Sequence, residues 1–293
     1  MKNFINYYYN MNIPNIHQKG KNYYFKVNDD IYSFIVCYEN KDLNDIYQLN
    51  NYLNQLKIKF HQIIININNE IITKINDNNY ILLKLSKTEK NINLNEIINI
   101  NNINVPLNKL RRTNWSEMWS EKLDYFEYQI SQIGKKYPLI RESFNYYLGL
   151  GELAISIVNN TEKDKLYLSL SHRRINDLYN PLNLIIDFRI RDVCEYFKFK
   201  FFENNDIIAE LDSFLFNNNL TNNEKKLFIA RMLFPTYYFD MYEKIINNET
   251  KEEDIKKIIV KVNEYEKIIL KIYIHFKFNN NLHIDWLENI NQY

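Results

Sequence analysis

Short apolar runs separated by turn-forming residues occupy the first third of the chain. The runs Tyr23–Val27 and Ile31–Tyr38 flank Asn28-Asp29-Asp30, which predicts two strands joined by a tight turn. After Asp42 the apolar positions follow helical spacing, which predicts a helix through Leu43, Ile46, Leu49, Leu53 and Leu56. Three more strands are predicted at His61–Ile67, Glu70–Ile75 and Tyr80–Leu85. The predicted order is strand, strand, helix and three strands, which places five strands in one sheet.

A polar, asparagine-rich segment at residues 88–110 has no clear period, although Asn93 and Glu96 have the spacing of a helix cap. We interpret residues 1–90 as one lobe, residues 91–113 as a connector and residues 114–293 as a second lobe. The second lobe is mainly helical in pattern. A strand-rich lobe followed by a helical lobe predicts an α+β fold.

Several signals divide the second lobe into elements. Capping-box spacing occurs in three pairs, Asn114 with Glu117, Thr221 with Glu224, and Thr250 with Glu253. Asp192 is predicted to cap a helix that runs to about Phe202, and Pro235 to kink or end the helix that follows Thr221. The first helix has an apolar face suited to a core, and the remaining predicted elements are a helix at Ile140–Asn159 and strands at Tyr167–Leu170 and Leu184–Asp187.

Charge and composition exclude some classes of function. The 293 residues contain 37 Lys and Arg against 36 Asp and Glu, a net charge of +1, so nothing drives the chain toward nucleic acid or anionic membrane. No run reaches the ~18 apolar residues of a membrane span, and the N-terminus lacks the apolar stretch of a signal peptide. Cys37 and Cys194 lie far apart in apolar runs, which indicates reduced core thiols. We expect a cytoplasmic protein.

Five segments in order carry a resemblance to a known family: WSEMWSEKLDYFE at Trp115–Glu127, YYLGLGELA at Tyr146–Ala154, SHRR at Ser171–Arg174, DFRIRDVCEY at Asp187–Tyr196 and ARMLFPTYYF at Ala230–Phe239. Together they resemble the bacterial spore-coat-associated kinase-like proteins of the CotS and YutH group, YutH branch, over roughly residues 20–290. That group is similar to aminoglycoside and choline phosphotransferases. The resemblance implies a protein-kinase-like fold of two lobes, with an N-lobe that lacks one early strand.

Phosphoryl transfer requires charges that are positioned on the nucleotide and its metal ion, together with a base near the acceptor hydroxyl. The resemblance places the phosphate-binding lysine on the strand Ile31–Tyr38, which has no Lys or Arg. Lys26 and Lys41 flank this strand, and a substitute from another strand stays open. A glycine-rich loop is absent, because no glycine occurs between Gly20 and Gly134.

The catalytic loop of active relatives of this family reads His-Gly-Asp, and the matching residues are His172, Arg173 and Arg174. A guanidinium stays protonated and has no acceptor lone pair, so Arg174 cannot act as a general base, although it could hold an anion. His172 either braces the loop, as this histidine normally does, or serves as a base itself.

The resemblance places the metal-binding carboxylate at Asp187 and the second metal ligand at Asn180 or Asn183. Asp192 follows Asp187 by only five residues, which indicates a shortened activation segment. Asp187 therefore either binds a metal ion or pairs with Arg173, Arg189 or Arg191. We expect His172, Arg173, Arg174 and Asp187 to lie together where the two lobes meet.

These deficits favour a catalytically degenerate pseudokinase with a binding or scaffolding role, no required cofactor, and a spore-coat or other protein as partner. The spore setting is what the resemblance implies. The alternative is an active small-molecule phosphotransferase of the aminoglycoside or choline kinase type, which would use ATP and Mg²⁺. A third hypothesis is a kinase fold that retains no ligand.

Overall fold

A computed structural model describes residues 1–37, 42–86, 92–106, 108–162, 166–278 and 282–290. The chain forms two compact units. One unit contains Met1–Arg111 and Ser169–Asp187, and the other contains Arg112–Leu168 and Phe188–Tyr293. This division by compactness groups residues 169–187 with the first unit, whereas the lobe boundaries at residues 90 and 114 stay a prediction.

The elements of the first part of the chain are α1 (Lys2–Tyr9), β1 (Ile16–Lys19), β2 (Asn22–Val27), β3 (Asp30–Val36), α2 (Leu43–Gln55), β4 (Gln62–Ile64), β5 (Thr73–Ile75), β6 (Asn78–Leu85) and α3 (Leu94–Asn101). The six strands form one antiparallel sheet in the order β1-β2-β3-β6-β4, with β5 also paired to β6. The predicted β2–β3 hairpin is confirmed, with Val27 opposite Asp30 and Asn28 at a φ of 54° in the turn.

The prediction of five strands is wrong, because β1 adds a sixth and supplies the early strand that was expected to be missing. Three of the four β1 residues are polar and exposed, so the segment has no alternation of apolar and polar positions. Its position comes from backbone pairing with β2, from Ile16 opposite Phe25 to Lys19 opposite Asn22. An edge strand of this kind carries no signal of burial in its sequence.

Helices cover both faces of the sheet. On one face Ile5, Tyr9 and Ile13 of the N-terminal segment pack with Phe25, Phe34, Tyr80 and other aromatic and aliphatic residues of the strands. On the other face Leu43 and Ile46 of α2 pack with Ile63, Ile81 and Leu83. We call these the α1 face and the α2 face. Alternate residues of each strand point to opposite faces, so the two clusters identify which side chains share a face.

The later elements are α4 (Trp115–Ile133), α5 (Pro138–Asn159), β7 (Leu168–His172), β8 (Leu184–Phe188), α6 (Arg191–Phe202), α7 (Ile208–Asn217), α8 (Asn222–Leu233), α9 (Thr236–Ile246), α10 (Lys256–Ile259), α11 (Val262–Phe276) and α12 (Asp285–Ile290), with 3-10 turns at Pro181–Asn183 and Glu252–Ile255. The apolar stripe of α4 is core as predicted, with Trp115, Trp119, Leu123 and Phe126 buried. Aromatic stacking joins α4 to the α8–α9 region, with Trp119 and Phe234 ring centroids 4.2 Å apart.

The predicted caps divide into two groups. Thr221 and Glu224 form the capping box at α8, Asn93 caps α3 through the Glu96 amide, and α8 ends at Leu233 before Pro235. Three other predicted caps are wrong. Asn114 takes the predicted N-cap position of α4, but its side chain donates to the Glu117 carboxylate and makes no capping bond. Ile190 takes the cap position predicted for Asp192, and Thr250 donates to the Asp254 carboxylate ahead of a 3-10 turn that begins at Glu252.

Within the described residues, no helix has the length and apolar character needed to cross a bilayer.

Candidate functional site

The loop between β7 and β8 contains the histidine and the two arginines predicted as degenerate catalytic positions. His172 ends β7 and is fully buried. Its Nε2 lies 2.9 Å from the carbonyl oxygen of Leu178, and its ring stacks on Phe60 with centroids 6.5 Å apart. A buried imidazole that is bonded to the backbone of its own loop supports that loop. This arrangement favours the bracing role for His172 over the role of a base.

Asn183 holds the backbone of the same loop. Its Oδ1 accepts from the Arg174 amide at 2.8 Å, and its Nδ2 donates to the carbonyl oxygens of Arg174 at 2.6 Å and Asp177 at 2.7 Å. The Arg173 amide also donates to the Asn183 carbonyl oxygen at 2.8 Å. Three side-chain hydrogen bonds from one mostly buried residue therefore close the turn that carries Arg174.

Arg174 combines a fixed backbone with an exposed side chain. Its neighbour Arg173 is half-buried and places Nη2 4.0 Å from Oδ2 of Asp42, just before α2. A guanidinium presents up to five N–H donors in a rigid fork that matches phosphate or carboxylate. Arg174 is therefore suited to contact an anion and unsuited to remove a proton from a hydroxyl.

Asp187 lies on β8 and is 1% exposed. The strands β7 and β8 pair, and they run antiparallel because Arg173 bonds Asn183 at one end while Arg189 bonds the Tyr167 carbonyl oxygen at the other. Arg174 and Asp187 therefore lie toward opposite ends of this strand pair, whereas His172, Arg173 and Arg174 are adjacent.

The pairing predicted for Asp187 stays a prediction. Of the arginines considered for it, Arg189 makes a two-pronged ion pair with Glu224 at the start of α8. Arg191 places Nη1 3.0 Å from the buried Asp192. Both bonds lie in the segment between β8 and the first turn of α6, and the shortening of this segment relative to active relatives stays a prediction.

The strand that would carry the nucleotide lysine has no basic residue on either face. Tyr32 and Phe34 pack on the α1 face, whereas Ile35 and Cys37 pack on the α2 face. Ser33, which lies between Tyr32 and Phe34 in the sequence, is 3% exposed. Lys41 lies outside the described residues. Lys26 of β2 is opposite Ile31, which in turn is opposite Leu85 of the α2 face, so Lys26 shares that face. Its Nζ lies 3.4 Å from Asp29.

The two asparagines considered as second metal ligands are engaged elsewhere. Asn180 accepts from the Leu182 amide at 3.0 Å and donates to Asp177 at 2.8 Å, and the Asn183 oxygen accepts from Arg174. Among the described residues, no three His, Cys, Asp or Glu side chains form a group suited to a metal ion. Mg²⁺ is usually held by carboxylates together with substrate phosphates. Both asparagines considered as partners of Asp187 are thus already bonded within the loop, and a magnesium site at Asp187 stays a prediction.

Tyr179 was not predicted to have a role in this loop. Its carbonyl oxygen accepts from the His61 amide at 2.8 Å, and its hydroxyl donates to Glu96 of α3 at 2.7 Å. Its ring also contacts Phe60, with centroids 6.1 Å apart. The chain contains 24 tyrosines, and none of these three partners lies near Tyr179 in sequence. No local pattern could have distinguished it.

Comparison with known proteins supports the interpretation of the fold. The solved spectinomycin phosphotransferase APH(9)-Ia, in complex with ADP and spectinomycin, matches with a TM-score of 0.62 at 13% identity, covering 95% of this chain and 97% of that one. An aminoglycoside phosphotransferase from Alicyclobacillus acidocaldarius matches with a TM-score of 0.65 at 12% identity, covering 92% and 94%. The predicted α+β fold of the protein-kinase type is confirmed.

Sequence comparison identifies the family. "Endospore coat-associated protein YutH" of Bacillus subtilis (strain 168) is 27% identical over 185 residues, so the match spans about half of each chain, 53% of this one and 54% of the relative. The family model described as "Spore coat putative kinase YutH" matches residues 2–272. Because that model covers most of the sequence, the chain belongs to the YutH family of kinase-like spore-coat proteins.

Proposed function

We propose that this protein is a spore-associated pseudokinase, which binds a ligand or partner through a kinase fold without transferring phosphate. The observation that carries the proposal is the β7–β8 loop. The family resemblance assigns Arg174 to the position of the catalytic base, and Asn183 holds the Arg174 backbone at both the amide and the carbonyl group. The proposed setting is the cytoplasm of a spore-forming cell, and the spore association follows the family description.

Three features required for phosphoryl transfer are missing or altered: the general base, the cation on β3 and the side chains that would orient a metal ion. Loss of a general base reduces the rate by about 10²–10⁴. Positioned cations stabilise the charge that develops on the transferred phosphoryl group, and β3 supplies none. The engagement of Asn180 and Asn183 removes side chains that would orient a metal ion. Because each deficit concerns a different interaction with the transition state, their effects on the barrier accumulate.

The alternative, an active ATP- and Mg²⁺-dependent phosphotransferase of small molecules, has one observation in its favour. Lys26 shares the α2 face with the residues of β3, so it could provide the cation that β3 lacks. It would still require a base in place of Arg174. The two proposals therefore differ in a measurable outcome, the release of the γ-phosphate of ATP.

We expect no phosphate release from labelled ATP above the rate of a protein-free blank, in single-turnover reactions with Mg²⁺ or Mn²⁺. Arg174→Asp should remain inactive, because a restored carboxylate does not replace the missing lysine and metal clamp. Asp187→Ala is the control for genuine activity. Turnover that persists through purification to homogeneity and disappears in Asp187→Ala would establish the phosphotransferase instead.

We expect inorganic pyrophosphate to bind near Arg174, with Arg174→Ala weakening binding at least about tenfold, because a charge-assisted hydrogen bond contributes about 1.5–3 kcal/mol. Titration calorimetry measures the affinity. Arg141→Ala is the matched control, since Arg141 is an exposed arginine on α5. Equal affinity in Arg174→Ala and the wild type would remove Arg174 from the ligand site.

A further inference from the structure

His61 joins three parts of the first unit. It directly precedes β4, and its carbonyl oxygen accepts from Nδ2 of Asn50 on α2 at 2.8 Å. Its amide donates to the carbonyl oxygen of Tyr179 in the β7–β8 loop at 2.8 Å. Its ring reaches Ser86, which directly follows β6. One residue therefore connects α2, the end of β6 and the loop that carries Arg174.

The contact with Ser86 identifies the state of the imidazole ring. The Ser86 amide donates to Nδ1 of His61 at 3.2 Å, and the Ser86 hydroxyl oxygen lies 3.1 Å from the same nitrogen. A backbone N–H can only donate, so Nδ1 must carry a lone pair and the ring proton must be on Nε2. A protonated imidazole has N–H donors at both nitrogens and leaves the Ser86 amide without its acceptor.

We propose that His61 is an acid-sensitive latch, which holds the end of β6 through its neutral ring and releases the Ser86 amide when the ring is protonated.

The surroundings of the ring favour its neutral form. Burial lowers the pKa of His61, while the negative charge of Asp177 in the β7–β8 loop acts in the opposite direction. The other nearby elements present groups that are neutral or already paired. These are Asn50 on α2, Lys84 on β6 paired with Asp30, and Glu96 on α3 bonded to Tyr179, whereas the charged Lys59, on the segment of His61 itself, is exposed to solvent.

A lowered pKa determines the direction of the pH dependence. In the unfolded chain His61 takes up a proton near its ordinary pKa of 6.5, whereas the folded state takes it up only at lower pH. The stabilising contribution of neutral His61 is therefore complete above about pH 6.5 and is lost as the pH falls below that value. The latch thus holds at neutral pH and opens in acid.

The latch also bears on the site of the proposed function. Tyr179 belongs to the loop in which Asn183 holds Arg174, so a displaced His61 backbone would disturb that loop through its bond to the Tyr179 carbonyl oxygen. If Arg174 binds an anion as proposed, release of the latch should weaken that binding in acid. This expectation rests on the proposed function, whereas the latch itself does not. Hydrogen exchange without any ligand tests the latch alone, so its outcome is independent of the pyrophosphate titration.

The test is amide hydrogen exchange of Ser86, followed by NMR at pH 7.5 and at an acidic pH where the His61 ring signals show complete protonation, and normalised to the intrinsic rate at each pH. The wild type should lose about tenfold in protection at the acidic pH, the factor expected for one net hydrogen bond. His61→Asn should show no such loss, because its carboxamide oxygen replaces Nδ1 as acceptor and does not titrate. His17→Asn, which alters an exposed histidine of β1, should behave as the wild type.

Equal Ser86 protection at both pH values in the wild type, or the same loss in His61→Asn, would overturn the proposal. If His61→Asn does not fold, the wild-type ring decides the question. Its ¹⁵N shifts should report a proton on Nε2 at pH 7.5 and a pKa below 6.5. A proton on Nδ1 at pH 7.5, or a pKa at or above 6.5, would refute the latch.

Discussion

Replacing Lys198 of α6 with alanine should lower the free energy of unfolding by about 3–5 kcal/mol, the cost of breaking a buried ion pair by removing one partner. The Lys198 side chain is 2% exposed. Its Nζ lies 2.6 Å from Glu195, 2.9 Å from the carbonyl oxygen of Arg231, 3.3 Å from that of Phe234 and 3.0 Å from the Thr236 hydroxyl. One ammonium group, with three N–H donors, thus lies within hydrogen-bond distance of four acceptors: the Glu195 carboxylate on α6, two carbonyl groups at the end of α8 and the hydroxyl that begins α9.

The loss of stability arises because removal of the ammonium group would leave buried acceptors without a donor. The last carbonyl groups of a helix have no partner within it, and Lys198 supplies one for the end of α8. Burial raises the pKa of the Glu195 carboxyl, but the charges of Lys198, Arg231 and Arg191 outweigh burial and hold it well below its usual range. Glu195 is therefore ionised at neutral pH, and without Lys198 it would keep Arg231, 2.7 Å away, as its ion-pair partner in addition to the bond from the Thr236 hydroxyl.

Lys271→Ala is the matched control, because Lys271 pairs with Asp212 at 2.9 Å where the two side chains are 40% and 49% exposed. An exposed pair contributes about 0–1 kcal/mol, so this variant should remain near the wild type. Urea denaturation followed by circular dichroism measures both variants. Equal losses in Lys198→Ala and Lys271→Ala would contradict the assignment of Lys198 as the ion that caps α8.

Asn183→Ala should lower the free energy of unfolding by about 2–4 kcal/mol and open the β7–β8 loop to protease. The variant loses three side-chain hydrogen bonds to Arg174 and Asp177, each contributing about 0.5–1.5 kcal/mol. The loop contains Arg173 and Arg174, both of which are trypsin sites, so disorder there should appear as cleavage after these residues.

Limited trypsin digestion and urea denaturation test this prediction together. Asn176→Ala is the control, since Asn176 is an exposed asparagine of the same loop. It should unfold and resist trypsin as the wild type does. Unchanged resistance to trypsin in Asn183→Ala would mean that His172 and Tyr179 hold the loop without Asn183.

The sequence by itself determined the features whose partners are close along the chain. The β2–β3 hairpin follows from two apolar runs around a turn trio, and the α8 cap follows from Thr221 and Glu224 three residues apart. Both are local hydrogen-bond patterns, which residue type and spacing specify. The ordered motifs from Trp115 onward likewise identified the family and its kinase-like fold before any coordinates were considered.

Only the tertiary structure decided the features whose partners are remote in sequence. The polar strand β1 is held by backbone pairing, and Lys198 reaches carbonyl groups more than thirty residues away. The partners of His61 in the β7–β8 loop and after β6 are also distant along the chain. A polar residue in a sequence shows that it can form hydrogen bonds, and burial decides which ones it must form. For that reason the sequence was enough to propose His172 and Arg174 as degenerate positions, whereas the roles of Asn183 and Tyr179 in holding their loop required the folded chain.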